Sequence, residues 1–374
     1  MKKIDLKKVR RVLVIRPRAI GDVILTTPFI RALRKALPNA VIDFMAEPFT
    51  APVLEGNPYI NEVIILERHR NPKREQPAVK LLRKNELKKE NPFVRMIKAV
   101  SFYVKIWKKR YDLVFDLWGN TRTAGITLFS GARYRLGFDF RVRKYCYNTA
   151  VKRVHKAKYN VWFHMDLLKA AGIPDDGEQT DFFTSEKDEK FAEEFFKNEG
   201  INGRVIGLNG LGSWSAKRWP AAGFAALADL FAEKMSDARL LIIWGPGERA
   251  LADEVLSLMK SGAGKAVILP GTSLKQLAAI IRRMDILVTN DGAPKHIAVA
   301  VGTPTVTVFG PTNPVSWGPE GNLRHRAVFA GVECSPCDRM ECPLEKTICM
   351  ENISPGEVFD AAEEVLKKEE EKNG

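Results

Sequence analysis

The sequence predicts an α/β protein built from two doubly wound, Rossmann-like domains. Three observations carry that expectation. The chain is 374 residues long, enough for two ordinary domains with cores of their own. Short β-branched apolar runs alternate with helical patterns in both halves, which means parallel sheets covered by helices. A polar, turn-rich stretch, IPDDGEQTDFFTSEKDE, separates the halves, and a domain boundary falls near residues 173 to 186.

In the first half the strand-like runs are RVLVIRP (11 to 17), VIDFMAE (41 to 47), EVIIL (62 to 66) and DLVFDLWG (112 to 119). Helices are expected over TPFIRALRKAL, after Asn91 and over KYNVWFHMDLLKAAG, with Gly172 as the stop. The second half repeats the pattern with strands at 205 to 210, 240 to 245, 266 to 269, 286 to 291 and 305 to 310. Its helices are expected near 219 to 235, 248 to 260, 273 to 284 and 294 to 301, with a last helix from Pro355. The domains are therefore set at 1–175 and 176–354, followed by the terminal helix at 355–374. Ligands of such sheets sit beyond the carboxyl ends of the strands, and the unusual loops of this chain lie there.

The hydrophobic fraction of 45% and charged fraction of 28% are those of a folded soluble protein. No apolar run approaches the roughly 18 residues needed to span a bilayer. The basic N-terminus leads into VLVI rather than into a signal-peptide core, so a cytoplasmic location is expected. A net charge of +14 implies an anionic partner: nucleic acid, lipid surface or phosphorylated substrate. The excess concentrates at 67 to 110, where Phe93, Met96, Ile97, Val100, Val104 and Trp107 also supply an apolar helical face. A solvated insertion and a contact surface for anionic head groups both fit that composition.

Candidate chemistry lies in four loops. In NDGAPKHIAVAVG, Asp291 ends a strand, Gly292 and Ala293 allow close backbone approach, Pro294 opens a helix and His296 falls in its first turn. Such a helix start suits a diphosphate, while Asp291 as a simple N-cap is the alternative. LNGLGSWSAKRWP is a Gly- and Ser-bearing loop that offers Lys217 and Arg218 for phosphate, or an ordinary surface pair of cations. In WGPGERA, Glu248 could accept from a ribose, or serve as a first-turn helix acid. Asp22, in RPRAIGDVILTTP, could take a proton from an attacking hydroxyl, or cap the helix from Thr26 to Leu37.

No GxxxxGK[ST], GxSxG or HExxH occurs, and five His leave little for a His-based metal site. Four of the five Cys lie in CSPCDRMECPLEKTIC, as Cys334, Cys337, Cys342 and Cys349. The spacing after the opening C-x2-C matches no common zinc ribbon, so reduced thiols are favoured over metal or disulfides.

Taken together, RPRAIGDVILTTP, SAKRWP, NDGAPKHIAVAVGTPTVTVFGPTNPVSWGP and CSPCDRMECPLEKTICM resemble the heptosyltransferase family, in order and spacing, over nearly the whole chain. The resemblance implies the GT-B architecture and metal-independent, inverting transfer of heptose from ADP-heptose to the lipopolysaccharide inner core, with no cofactor. It implies Asp22 as general base, Ser213 and Lys217 on the diphosphate, Glu248 on the ribose and Asp291 on the heptose hydroxyls. His296, with the backbone of Gly292 and Ala293, would complete the diphosphate seat. The implied partners are ADP-heptose, a lipid A-linked core acceptor and the anionic inner face of the cytoplasmic membrane, with no nucleic acid. The terminal helix would pack back toward the first domain. Two departures stand out: Gly292-Ala293-Pro294-Lys295 replaces the family's frequent Ser or Thr then Gly, and the basic insertion 67–93 is long. Rival readings are a GT-B transferase with another nucleotide-sugar donor and a nucleic-acid-binding protein using the basic segment.

Overall fold

The computed structural model describes residues 4–67, 91–152, 158–210, 212, 214–319 and 321–373, which form two compact units, the second beginning at Thr184. Most of the basic insertion, 68–90, lies outside the described residues, as does Ser213.

The first unit is a six-stranded parallel sheet. Its strands are β1 (Arg11–Ile15), β2 (Val41–Ala46), β3 (Glu62–Ile65), β4 (Leu113–Asp116), β5 (Tyr134–Phe138) and β6 (Thr149–Val151), in the order β3-β2-β1-β4-β5-β6. β1 and β4 are central and read as near-continuous apolar runs because both faces are covered, as parallel sheets require. β5 and β6 were not anticipated. β5 needs Gly137 because the Tyr147 ring packs onto it, and a Cβ there would come within 2.4 Å of that ring. Gly137→Ala should therefore lower the melting temperature by several degrees, from an overpacking cost of about 1–3 kcal/mol; an unchanged calorimetric melt would contradict that packing.

The turn-rich stretch after Gly172 stays with the first unit as far as Phe183, beyond the expected boundary at 175. Arg31 is the reason. Its guanidinium bonds Asp176 at 2.7 Å and Asp181 at 2.5 Å, while the Asp181 N–H donates to Thr27 Oγ1 at 2.8 Å.

The second unit repeats the winding. β7 (Val205–Asn209), β8 (Arg239–Ile242), β9 (Ala266–Ile268), β10 (Ile286–Asn290), β11 (Thr305–Phe309) and β12 (His325–Phe329) are parallel in the order β12-β11-β10-β7-β8-β9. Counted within each unit, both sheets follow the Rossmann order 3-2-1-4-5-6. The point of reversal in this sheet lies between β7 and β10, so a ligand is expected beyond Asn209 and Asn290. The Glu186–Asn198 helix begins inside the stretch read as turn-rich, which ended at Glu189. Ser185 and Asp188 make a reciprocal capping box, and Ala192 and Phe195 are buried.

The terminal helix Pro355–Asn373 packs within the second unit, against β10, β11 and β12 and the Ala221–Lys234 helix, where the Phe359 and Phe231 rings lie 5.1 Å apart. Arg324 and Arg326 on and beside β12 bond Glu369 and Glu364 at 2.7 and 3.3 Å. The helix is thus an integral part of the second unit. Its apolar face, with Val358, Ala362 and Val365 buried, is what the second sheet lacks a cover for.

Candidate active site

The carboxyl ends of β7 and β10 are tied together before any charged side chain is placed. Asn209 Nδ2 donates to Thr289 Oγ1 at 2.9 Å, and Asn290 Nδ2 donates to the Gly210 carbonyl at 2.7 Å. Buried polar groups so paired fix the two strand ends in one geometry.

Immediately beyond them, Asp291 is almost fully buried and carries three donors. Lys295 Nζ reaches Oδ1 at 2.6 Å, while Lys217 Nζ and Thr312 Oγ1 reach Oδ2 at 2.6 and 2.8 Å. Burial alone would raise this carboxyl, but Lys295 and Lys217 reverse that and hold it well below its ordinary value. Lys295, 2% exposed, also donates to the Trp317 carbonyl at 2.7 Å, and burial lowers its own pKa despite the partner. Lys217 lies 4.5 Å from the Trp214 ring centre. Two cations thus face one anion, leaving an excess positive charge at the start of a helix.

That helix is Ala293–Val301, stopped by Gly302 in the left-handed region at φ 84°. Gly292, not Asp291, is its N-cap residue, and Asp291 makes no cap bond. The capping alternative for Asp291 is thereby replaced by an ion-pair role. The first N–H groups of the helix have no intrahelical acceptor and add the positive end of its dipole. His296 is 4% exposed, and its Nδ1 has no partner among the described residues. Burial, reinforced by Lys295 and then Lys217, drives it well below its ordinary pKa. It is a neutral imidazole at pH 7 and adds a hydrogen-bonding edge, not a charge.

Glu248 precedes the Arg249–Leu258 helix, where its Oε2 accepts the Gly245 N–H at 3.1 Å. Burial raises its pKa. Arg218 approaches Oε1 at 3.9 Å and is held by the Gly212 carbonyl at 2.8 Å. The loops carrying Lys217, Glu248 and Asp291 therefore all follow strand ends of this one sheet.

In the first unit, Asp22 lies in a separate short helix, Ile20–Ile24, rather than at the cap of Thr27–Ala36. Its Oδ2 accepts the Ala19 N–H at 3.2 Å and its Oδ1 accepts from Arg16 at 2.5 Å. Arg16 is buried, bonds the Leu117 carbonyl at 2.9 Å and lies 4.5 Å from the Trp118 ring centre. The carboxylate is 21% exposed, and among the described residues each oxygen has a single donor, which leaves a lone pair on each for a ligand. The helix-capping alternative at Thr26–Leu37 does not hold.

The four clustered thiols, Cys334, Cys337, Cys342 and Cys349, all line a cavity of about 210 Å³ in the second unit. They are free thiols, and burial with the neighbouring sulfurs pushes Cys349 up to about 11. Among the described residues no three His, Cys, Asp or Glu side chains are grouped to hold a metal ion.

The glycosyltransferase family 9 (heptosyltransferase) model matches residues 99–348. The chain belongs to that family. Its likeness to lipooligosaccharide heptosyltransferase 2 of Campylobacter jejuni is 33% identity over 168 residues, 44% of this chain. That match spans about half of the relative, 51% of its length. Lipopolysaccharide heptosyltransferase 1 of Pseudomonas aeruginosa is 26% identical over 343 residues, covering 90% of this chain and 88% of its own. The solved structure of the Escherichia coli ADP-heptose lps heptosyltransferase II superposes with a TM-score of 0.73 at 21% identity, covering 96% of this chain and 99% of that one. Each unit of this family 9 protein is thus one half of a GT-B fold. Lys295, Thr312 and Arg16 are site-side residues that the sequence reading passed over. For Lys295 the signal was present, since it stands four residues after Asp291 on a helix start.

Proposed function

We propose that the protein is an inverting, metal-independent heptosyltransferase, moving heptose from ADP-heptose to the inner core of lipopolysaccharide. The observation that carries this reading is the Lys217–Asp291–Lys295 group at the open start of the Ala293–Val301 helix, in a family 9 chain. A positive helix start with a lysine beside it is a seat for a departing diphosphate. ADP-heptose is named for the E. coli relative and suits that seat.

In the proposed reaction an acceptor hydroxyl attacks the anomeric carbon, its proton passes to the Asp22 carboxylate, and the bond to the diphosphate oxygen breaks. Lys217 moves from Asp291 to the diphosphate, with Ser213 and the Gly292 and Ala293 backbone beside it. The exchange vacates a lone pair on Asp291 Oδ2 for a heptose hydroxyl, while Lys295 keeps that carboxylate ionised. Glu248 takes the ribose, and His296 offers its neutral edge. The acceptor would be lipid A-linked and presented at the anionic inner face of the cytoplasmic membrane; among the described residues no helix is long and apolar enough to cross it.

Lys217→Ala should weaken ADP and ADP-heptose alike by about 10–100-fold, the size of one lost charge-assisted bond. Titration calorimetry reads this directly, and an unchanged ADP affinity would remove Lys217 from the seat.

A further inference from the structure

The Pro92–Lys108 helix carries two apolar faces, and among the described residues only one of them packs into the core. Ile106, with the half-buried Phe102 and Tyr103, closes the core beside Leu13, Ile15 and Ile64. The other face consists of Phe93, Met96, Ile97, Val100, Val104 and Trp107, all between 42% and 63% exposed. At about 100° per residue these six fall within roughly 100° of arc, a single stripe along the helix.

The stripe continues onto the neighbouring Thr121–Phe129 helix. Phe129, 62% exposed, meets Tyr103 edge-on with ring centres 5.5 Å apart, and Trp107 lies against Gly131 just after it. Single exposed apolar side chains are ordinary, but a contiguous patch on this scale marks an interaction surface. Its borders are basic. Lys105, Lys108 and Arg110 are exposed beside it, and the helix contains no acid.

We propose that this stripe is the surface by which the protein lies on an anionic lipid bilayer, the apolar side chains entering at head-group level and the lysines meeting lipid phosphates. An apolar face with a lysine border and no acids is the composition of an in-plane interfacial helix. A second copy of the chain would set two basic borders against each other, which disfavours that occupant. The inference rests on the reading above, in which the acceptor is lipid-linked, and names the face that would bring the first unit to it.

The test is co-sedimentation of the full chain with phosphatidylcholine vesicles, with and without phosphatidylglycerol. The parent protein should bind the anionic vesicles and bind the neutral ones at least tenfold less. The combined variant Phe93→Ser, Ile97→Ser, Val104→Ser should lower anionic binding about tenfold or more. Lys105→Glu with Lys108→Glu should lower it by about fivefold or more per charge. All five side chains are exposed, so both variants should melt as the parent does. Both should also transfer sugar at the parent's rate to a delipidated, soluble acceptor. Equal vesicle binding by parent and variants, or an oligomer that the same substitutions dissolve, would overturn the proposal. Absence of sugar transfer by every protein, with vesicle binding intact and sensitive to the variants, would instead count against the heptosyltransferase reading.

Discussion

Asp22→Asn is expected to lower heptosyl transfer by about 10²–10⁴-fold, the range spanned by general base catalysis, while leaving ADP-heptose affinity within about twofold. The substitution keeps the size of the side chain and an oxygen to accept from Arg16 or the Ala19 N–H, so the short Ile20–Ile24 helix should persist. What it removes is a lone pair basic enough to take the acceptor proton. Steady-state rates with saturating acceptor, together with calorimetric donor binding, separate the two effects. A parallel fall in thermal stability and in donor affinity would make Asp22 a structural group, because a base acts on the acceptor and not on the bound donor. The loss should fall on kcat rather than on the donor KM.

The second large effect is on stability. Asp291→Asn should cost about 3–5 kcal/mol, because it leaves two lysines facing each other with no anion between them and one of those lysines buried. In the native protein the Asp291 carboxyl is held below its unfolded pKa. Its stabilisation is therefore complete above the ordinary carboxylate range and is lost as pH falls through the folded value. In the variant the dependence keeps its direction but moves to higher pH. Lys295, already lowered by burial and now without its counter-charge, binds its proton more weakly folded than unfolded, so stability should rise with pH toward the ordinary lysine range. Calorimetric melts across pH 6 to about 10 would show the variant climbing more steeply than the parent, and from a lower pH. A variant whose deficit stays constant with pH would assign the loss to packing instead.

Much of this architecture was legible from the sequence. Strands buried on both faces announce themselves, and β1, β4, β7, β10 and β11 do so because helices cover both sides of each sheet. β5, β6 and β12 did not: YRLGF carries Arg135 and Gly137 inside its run, TAV is three residues long, and HRAVF is partly exposed with charge at its start. The Glu186–Asn198 helix was hidden by acidic composition, although its Ser185 and Asp188 capping pair was visible in the sequence. At the site, the loops were found because they follow strand ends. Their internal bonding was not, since whether Asp291 caps a helix or pairs with Lys217 depends on a contact 74 residues apart. Asp22 was placed at the cap of the next helix although Pro28, in the first turn of Thr27–Ala36, marks that helix's own start.

The measurement that tests the central claim most directly is single-turnover transfer from ADP-heptose to a heptose-deficient lipopolysaccharide core, in metal-free buffer, with product mass read by spectrometry. The account predicts one heptosyl unit added per acceptor and stoichiometric release of ADP, with the parent active, Asp22→Asn slowed by about 10²–10⁴-fold and Lys217→Ala impaired through donor binding. Transfer that requires an added divalent ion, or donor binding without any acceptor product while a different nucleotide sugar is consumed, would contradict it.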